Sequence, residues 1–172
     1  MRILAVCTGN VARSAMLGFM FATIAQDRGL DWSVRTAGTH AIEGSTMSSR
    51  TRDALLSIPE LGEHRYSAHR SHQVTASDIA RADVVLGAEA SNVTFTRHLA
   101  PDEATRVVQV RQFTQNAPHG VALDEQLAAV AALALDPRLD VDDPAGADQG
   151  VYDEVAGSLW QLAQEFATLI DG

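Results

Sequence analysis

Met1-Arg2-Ile3-Leu4-Ala5-Val6-Cys7-Thr8-Gly9-Asn10-Val11-Ala12-Arg13-Ser14 opens the chain, and its reading decides the fold. Ile3 to Val6 is a short apolar run, the pattern of a buried strand, and it meets a polar turn at Thr8-Gly9-Asn10. Residues 14 to 28 are good helix formers, apolar on most faces, and Gly29 stands where a helix stops. In a loop between strand and helix, the backbone N–H groups and the helix N-terminus form a cradle for a phosphate dianion. Gly9 permits close backbone approach, and Asn10 tolerates the left-handed conformation such loops need. Thr8, Val11 and Ala12 complete the expected cradle, and Arg13 offers a planar fork for two phosphate oxygens.

The same field acts on Cys7. A thiol at a helix N-terminus beside a cation is biased towards thiolate, which attacks phosphorus without a separate base. Ser14 can hydrogen-bond that sulfur and stabilise it as a leaving group in a second step. A lone cysteine is ordinarily a small buried hydrophobe. Placement after a strand, with Gly, Asn, Arg and Ser at supporting positions, sets Cys7 apart.

Outward from this segment, Trp32 to Thr36 reads as a second strand, and Thr46 to Ser57 as a helix closed by Pro59. Thr75-Ala76-Ser77-Asp78 is a capping-box-like helix start. Val84 to Gly87 reads as a third strand, Ser91 to Leu99 as a helix, and Val107 to Val110 as a fourth strand. Leu123 to Leu135 is an alanine-rich helix, and residues 112 to 122 and 136 to 147 are loop-rich. Val151, Val155, Leu159, Leu162, Phe166 and Leu169 recur at spacings of three and four, a final amphipathic helix with Asp148 as its cap. Strands alternating with helices predict an α/β fold of three layers, α/β/α, around a central four-stranded parallel sheet. The phosphate loop then lies between the first strand and first helix, at the carboxyl edge where such sheets bind ligands. With no repeat or linker, one domain is expected over residues 1–172.

Hydrophobic residues make up 46% of the 172 and charged ones 20%, the balance of a soluble globular protein. Net charge is −9, and the thirteen cations are all arginine and scattered. Nucleic acid and anionic membrane both require a concentrated basic face, so neither is expected as a partner. The absence of lysine removes Schiff-base chemistry and a Walker lysine. One cysteine excludes an intramolecular disulfide and a cysteine-rich metal site. His69 and His72 lie three apart without a third ligand nearby in sequence, so neither metal nor cofactor is expected. The apolar opening is interrupted too soon for a signal peptide, and no run reaches membrane-spanning length, which predicts a cytoplasmic protein.

Cys7-Thr8-Gly9-Asn10-Val11-Ala12-Arg13-Ser14 resembles the signature C-x-G-N-x-x-R-S of the low-molecular-weight protein tyrosine phosphatases. The resemblance covers nearly the whole chain. Arg35-Thr36-Ala37-Gly38-Thr39 resembles the family's S-A-G-T segment, with Thr36 in place of the serine. His69-Arg70-Ser71-His72-Gln73-Val74-Thr75 resembles H-x-A-R-Q-[IV]-T, and Asp143-Pro144-Ala145-Gly146 resembles the D-P loop that carries the general acid. The resemblance implies Cys7 as nucleophile, Arg13 as transition-state clamp, and Asp143 as the acid that protonates the leaving oxygen and then activates water. Asp136, in a second Asp-Pro pair, and Asp142 are rivals for that role. It also implies a buried network of Asn10, Ser14, Thr36 and His69 that holds the loop.

Departures from the family pattern bear on the substrate. Ala12 stands where many members carry a second, protective cysteine. Val11 is apolar where the related arginine phosphatases carry threonine, which disfavours phosphoarginine. Ile42 and Ala145 take the pocket-wall positions that are usually aromatic. A phosphotyrosine-containing protein or small aryl phosphate is the expected partner, met by a monomer or weak homodimer. Two other activities fit the loop: a single-cysteine arsenate reductase using an external small thiol, and a catalytically weak oxyanion-binding module.

Overall fold

Alternation along β1 (Arg2–Cys7) sorts the molecule into layers. Ile3, Ala5 and Cys7 face one core, Leu4 and Val6 the other, as successive residues of a strand must. In this computed structural model, which describes residues 1–171, β1 is flanked by β2 (Ser33–Gly38) and β3 (Val84–Gly87). β4 (Val107–Gln109) pairs with β3, giving a parallel sheet in the order β2-β1-β3-β4. The final residue of the expected 1–172 span lies outside the described residues.

The larger core packs α1 (Arg13–Arg28), α2 (Ser49–Leu56), α5 (Val110–Asn116), α6 (Leu123–Ala131) and α7 (Gln149–Asp171) on one side of the sheet. α3 (Ala76–Arg81) and α4 (Ala90–Leu99) cover the other. Helices on both faces are what buried parallel strands require, and the three-layer α/β/α expectation is met. The chain leaves β1 towards β2 and returns on the far side at β3, so the sheet's switch point lies at the carboxyl end of β1.

Local signals explain most boundaries. Gly29 ends α1 with φ of 64°, and Leu30 N–H reaches back to the Ala25 carbonyl. Ser48 caps α2, Thr75 and Asp78 form a reciprocal capping box on α3, and Asp148 Oδ1 accepts from Val151 N–H at the start of α7. The fourth strand is shorter than expected. It stops at Gln109, and Val110 opens α5, a helix that runs to Asn116 through the stretch read as loop. Val110 and Phe113 are fully buried one turn apart, and their packing decides a helix too short for its periodicity to register. α6 ends at Ala131, not Leu135, because Leu127 and Val130 are buried whereas Leu133 meets solvent.

Candidate active site

Residues 8–12 carry the chain from Cys7, at the end of β1, across the sheet edge into α1. Asn10 has φ of 54°, alone among the described non-glycine residues in the left-handed region, and its side chain secures the turn. Asn10 Nδ2 donates to Ser14 Oγ at 2.9 Å, and its Oδ1 accepts the backbone N–H of His72 at 2.9 Å. Its own N–H points at Cys7 Sγ, 3.3 Å away, and Ser14 Oγ lies 3.0 Å from the same sulfur. His69 Nε2 is 2.7 Å from the Asn10 carbonyl; a carbonyl only accepts, so that nitrogen carries the proton. From α2, buried Thr51 donates its hydroxyl to the Val11 carbonyl at 3.0 Å. The buried side-chain polar groups of the loop are thereby satisfied, which fixes the turn around the sulfur.

Arg13 is only 2% exposed. Its Nη1 donates to Glu89 Oε2 at 2.7 Å and to the Val141 carbonyl at 3.0 Å, and its Nη2 to Asp143 Oδ2 at 2.7 Å. A buried guanidinium demands such partners. Burial alone would push the Glu89 carboxyl up. Hydrogen bonds from Ser91 and Arg13, with the charge of Arg13, outweigh it and hold Glu89 below the usual carboxylate range. Glu89 also accepts from Thr8 Oγ1 at 3.3 Å, which ties the first residue of the cradle to the start of α4. Nη1 is thus locked in the fold, whereas Nε and Nη2 form the edge that a phosphate can take, Nη2 once Asp143 yields it.

Of the expected site residues, the structure brings Cys7, Thr8, Gly9, Asn10, Val11, Ala12, Arg13, Ser14 and Asp143 together around the carboxyl end of β1. Asp136 instead caps the turn Pro137–Leu139 and pairs with Arg138, and Asp142 is exposed. Thr36 is a correction. It makes no side-chain hydrogen bond to Asn10, Ser14 or His69, because the alternation of β2 turns it towards α1. There its methyl fills the space left by Gly18, and it borders a groove of about 520 Å³ that His69 also lines. The polar contact expected of Thr36 is made by the backbone of His72. Ile42 is 78% exposed on the loop after β2, and Ala145 is exposed beside Asp143, its N–H donating to Asp143 Oδ1. A hollow of about 430 Å³ adjoins the loop at Thr8, bordered by His40 and Phe95, whose rings lie 5.4 Å apart.

Four contributors escaped the sequence reading: Glu89, Thr51, Val141 and the main chain of His72. Glu89 alone leaves a local trace, a Glu-x-x-Asn pair with Asn92 that forms a capping box on α4.

Comparison with known proteins agrees with this geometry. Residues 2–128 match the family model described as low molecular weight phosphotyrosine protein phosphatase. The chain is 32% identical over 161 residues to low molecular weight protein-tyrosine phosphatase A of Mycobacterium tuberculosis, covering 87% of this chain and 79% of that protein. It is 35% identical over 86 residues to the protein-arginine-phosphatase of Bacillus subtilis, covering 50% and 54% of the two chains. The crystal structure of the low molecular weight protein tyrosine phosphatase from T. tengcongensis superimposes with a TM-score of 0.79 across 98% of each chain, at 28% identity. Fold, loop and sequence together establish that this chain belongs to the low molecular weight phosphotyrosine protein phosphatase family, whose chemistry rests on a cysteine in a phosphate-binding loop.

Proposed function

We propose that the protein hydrolyses phosphotyrosine in proteins, or small aryl phosphates, through a thiophosphoryl-cysteine intermediate. The carrying observation is that one buried arginine, at the loop that cradles Cys7, holds Asp143 at 2.7 Å. Cys7 Sγ, as thiolate beside Ser14, attacks phosphorus; the S–P bond forms as the P–O bond to the leaving group breaks. Asp143 gives its proton to the departing oxygen. Water then attacks phosphorus and returns a proton to Asp143, the S–P bond breaks, and inorganic phosphate leaves with the thiolate restored.

The ion pair between Arg13 and Asp143 fits an unliganded enzyme. When a phosphate dianion takes the Nε–Nη2 edge, Asp143 is released from Arg13 and is free to turn to the leaving oxygen. Val11, apolar where arginine phosphatases carry threonine, supports an aryl substrate over a guanidinium one. We place the enzyme in the cytoplasm, where a lone nucleophilic thiol stays reduced. Among the described residues no helix is long and apolar enough to cross a membrane.

Wild type, Cys7→Ser and Asp143→Asn are compared on para-nitrophenyl phosphate, phosphotyrosine peptides and phosphoarginine peptides. Wild type turns over the aryl esters and Cys7→Ser does not. Asp143→Asn slows esters with poor leaving groups far more than those with good ones, because a weakly basic leaving group needs little protonation. Preference for phosphoarginine, or thiol-dependent consumption of arsenate without ester hydrolysis, refutes the reading. Phosphate binding without turnover would leave only an oxyanion-binding module.

A further inference from the structure

The imidazole of His72 lies between two carboxylates. Nδ1 is 3.1 Å from Glu43 Oε1, on the loop after β2, and Nε2 is 2.9 Å from Asp78 Oδ2, on α3. A neutral imidazole has one N–H and one lone pair, so it can satisfy only one of these oxygens and sets its lone pair against the other. Both contacts are made only by the imidazolium. Each carboxylate is anchored in its own segment. Glu43 Oε2 accepts the backbone N–H of Gln73 at 2.8 Å, and Asp78 Oδ2 accepts from the main chain and hydroxyl of Thr75. Among the described residues neither carboxylate has another ion-pair partner, so Glu43 and Asp78 are the charges that face this ring.

The main chain of His72 serves the phosphate loop directly. Its N–H donates to Asn10 Oδ1 at 2.9 Å, and its carbonyl accepts the N–H of Gly38, at the end of β2, at 2.8 Å. From Asn10 the connection runs through Nδ2 to Ser14 Oγ and on to Cys7 Sγ. One ring therefore joins the loop after β2 to α3, and the residue carrying it is two side chains from the nucleophile.

We propose that His72 is a positioning residue for catalysis: its imidazolium pins Glu43 to Asp78, and this pin holds the backbone N–H that secures Asn10 and the phosphate loop. The proposal rests on the reading of residues 7–14 as the catalytic loop. Because the pin needs a proton, it titrates. Hydrogen bonds to Asp78 and then Glu43 raise the His72 pKa above its ordinary value, against a smaller opposing effect of burial. A group raised in this way contributes fully below about pH 6.5, and its contribution is lost as pH rises through the raised value. Glu43, whose side chain is 66% exposed, is the partner that lets go, whereas Asp78 is 10% exposed and stays. In the motif H-x-A-R-Q-[IV]-T, which this segment resembles, the residue aligned with His72 is arginine, a double donor that does not titrate.

The test measures kcat/KM for one aryl phosphate from about pH 5.5 to about pH 8.5 in wild type, His72→Arg and His72→Gln. Ionisation of substrate, nucleophile and general acid is common to all three, so the ratios to wild type isolate His72. Both ratios are expected to climb with pH by roughly twofold to fivefold, the scale of a partly exposed ion pair. The arginine variant climbs because it keeps the pin that wild type loses, and the glutamine variant because wild type descends to meet it. The midpoint of both should match the ring titration of His72 followed by NMR, with the Asn10 side-chain amide shifting at the same pH. Flat ratios, or an Asn10 amide indifferent to His72 protonation, overturn the proposal. Absence of turnover in all three would refute the catalytic reading, and the NMR coupling would then decide the pin by itself.

Discussion

Arg13 is committed on both sides in the free enzyme, with Glu89 and the Val141 carbonyl on Nη1 and Asp143 on Nη2. A lysine at this position offers one nitrogen. It can stay with Glu89 or turn to the phosphate, but it cannot present a fork while remaining anchored. Arg13→Lys is therefore expected to lower kcat by about 10²–10³, close to Arg13→Ala, the scale of losing one preorganised donor to developing charge. Steady-state kinetics of both variants on the same ester checks this, and a lysine variant within about tenfold of wild type would show that the fork is not used. The turn that brings Cys7, Asn10, Arg13 and Ser14 together was legible at this scale because they fall in eight consecutive residues whose contacts are local. The anchors were not. Val141 lies 128 positions from Arg13 and Glu89 lies 76, and no spacing rule links a carbonyl or a carboxylate to an arginine that far away.

At the scale of elements, the turn out of β2 is fitted to the catalytic loop without slack. A Cβ on Gly38 would stand 2.6 Å from the Thr8 carbonyl oxygen and 3.0 Å from the Asn10 nitrogen, both backbone atoms of the cradle. A Cβ on Gly18 would also collide, but only with the Thr36 side chain, which is not part of the cradle. Overpacking of this kind costs about 1–3 kcal/mol at either place. Gly38→Ala should also lower kcat/KM by at least about tenfold, because the strain can be relieved only by moving the loop, whereas Gly18→Ala should lose stability with little change in turnover per folded molecule. Denaturant unfolding set beside kinetics separates the two; parallel behaviour of both variants would contradict the tight fit at Gly38. The strands, α1 and α7 were legible as elements because each carries a full apolar pattern or an explicit stop. The passage from β4 straight into α5 was not, since Gln109 and Val110 belong to different elements with no turn residue between them.

Over the whole molecule, a net charge of −9 opposes the capture of a phosphate dianion, so the site must work against its own long-range field. Arg13 does little to reverse that field. It is buried, and Glu89 and Asp143 both pair with it, with Asp142 exposed next to Asp143. Close attraction thus comes from the loop amides and the Arg13 edge, within hydrogen-bond range, while the net charge of the molecule repels an anion. A substrate that brings its own positive charge escapes this penalty. Phosphotyrosine peptides flanked by arginine or lysine should therefore exceed those flanked by aspartate or glutamate in kcat/KM by about tenfold or more at ~0.01 M ionic strength, where the Debye length is ~30 Å. At ~0.15 M the length falls to ~8 Å, and the ratio should shrink severalfold. Taking the ratio cancels competition by the added anion for the loop, since both peptides face it equally. The charge difference should sit in KM rather than kcat, because flanking residues interact alike with ground and transition states. A ratio that does not change with salt would mean that contacts, not the field, select the flanks, and a preference for acidic flanks would place a cationic surface near the mouth that the arrangement of Glu89, Asp142 and Asp143 does not provide.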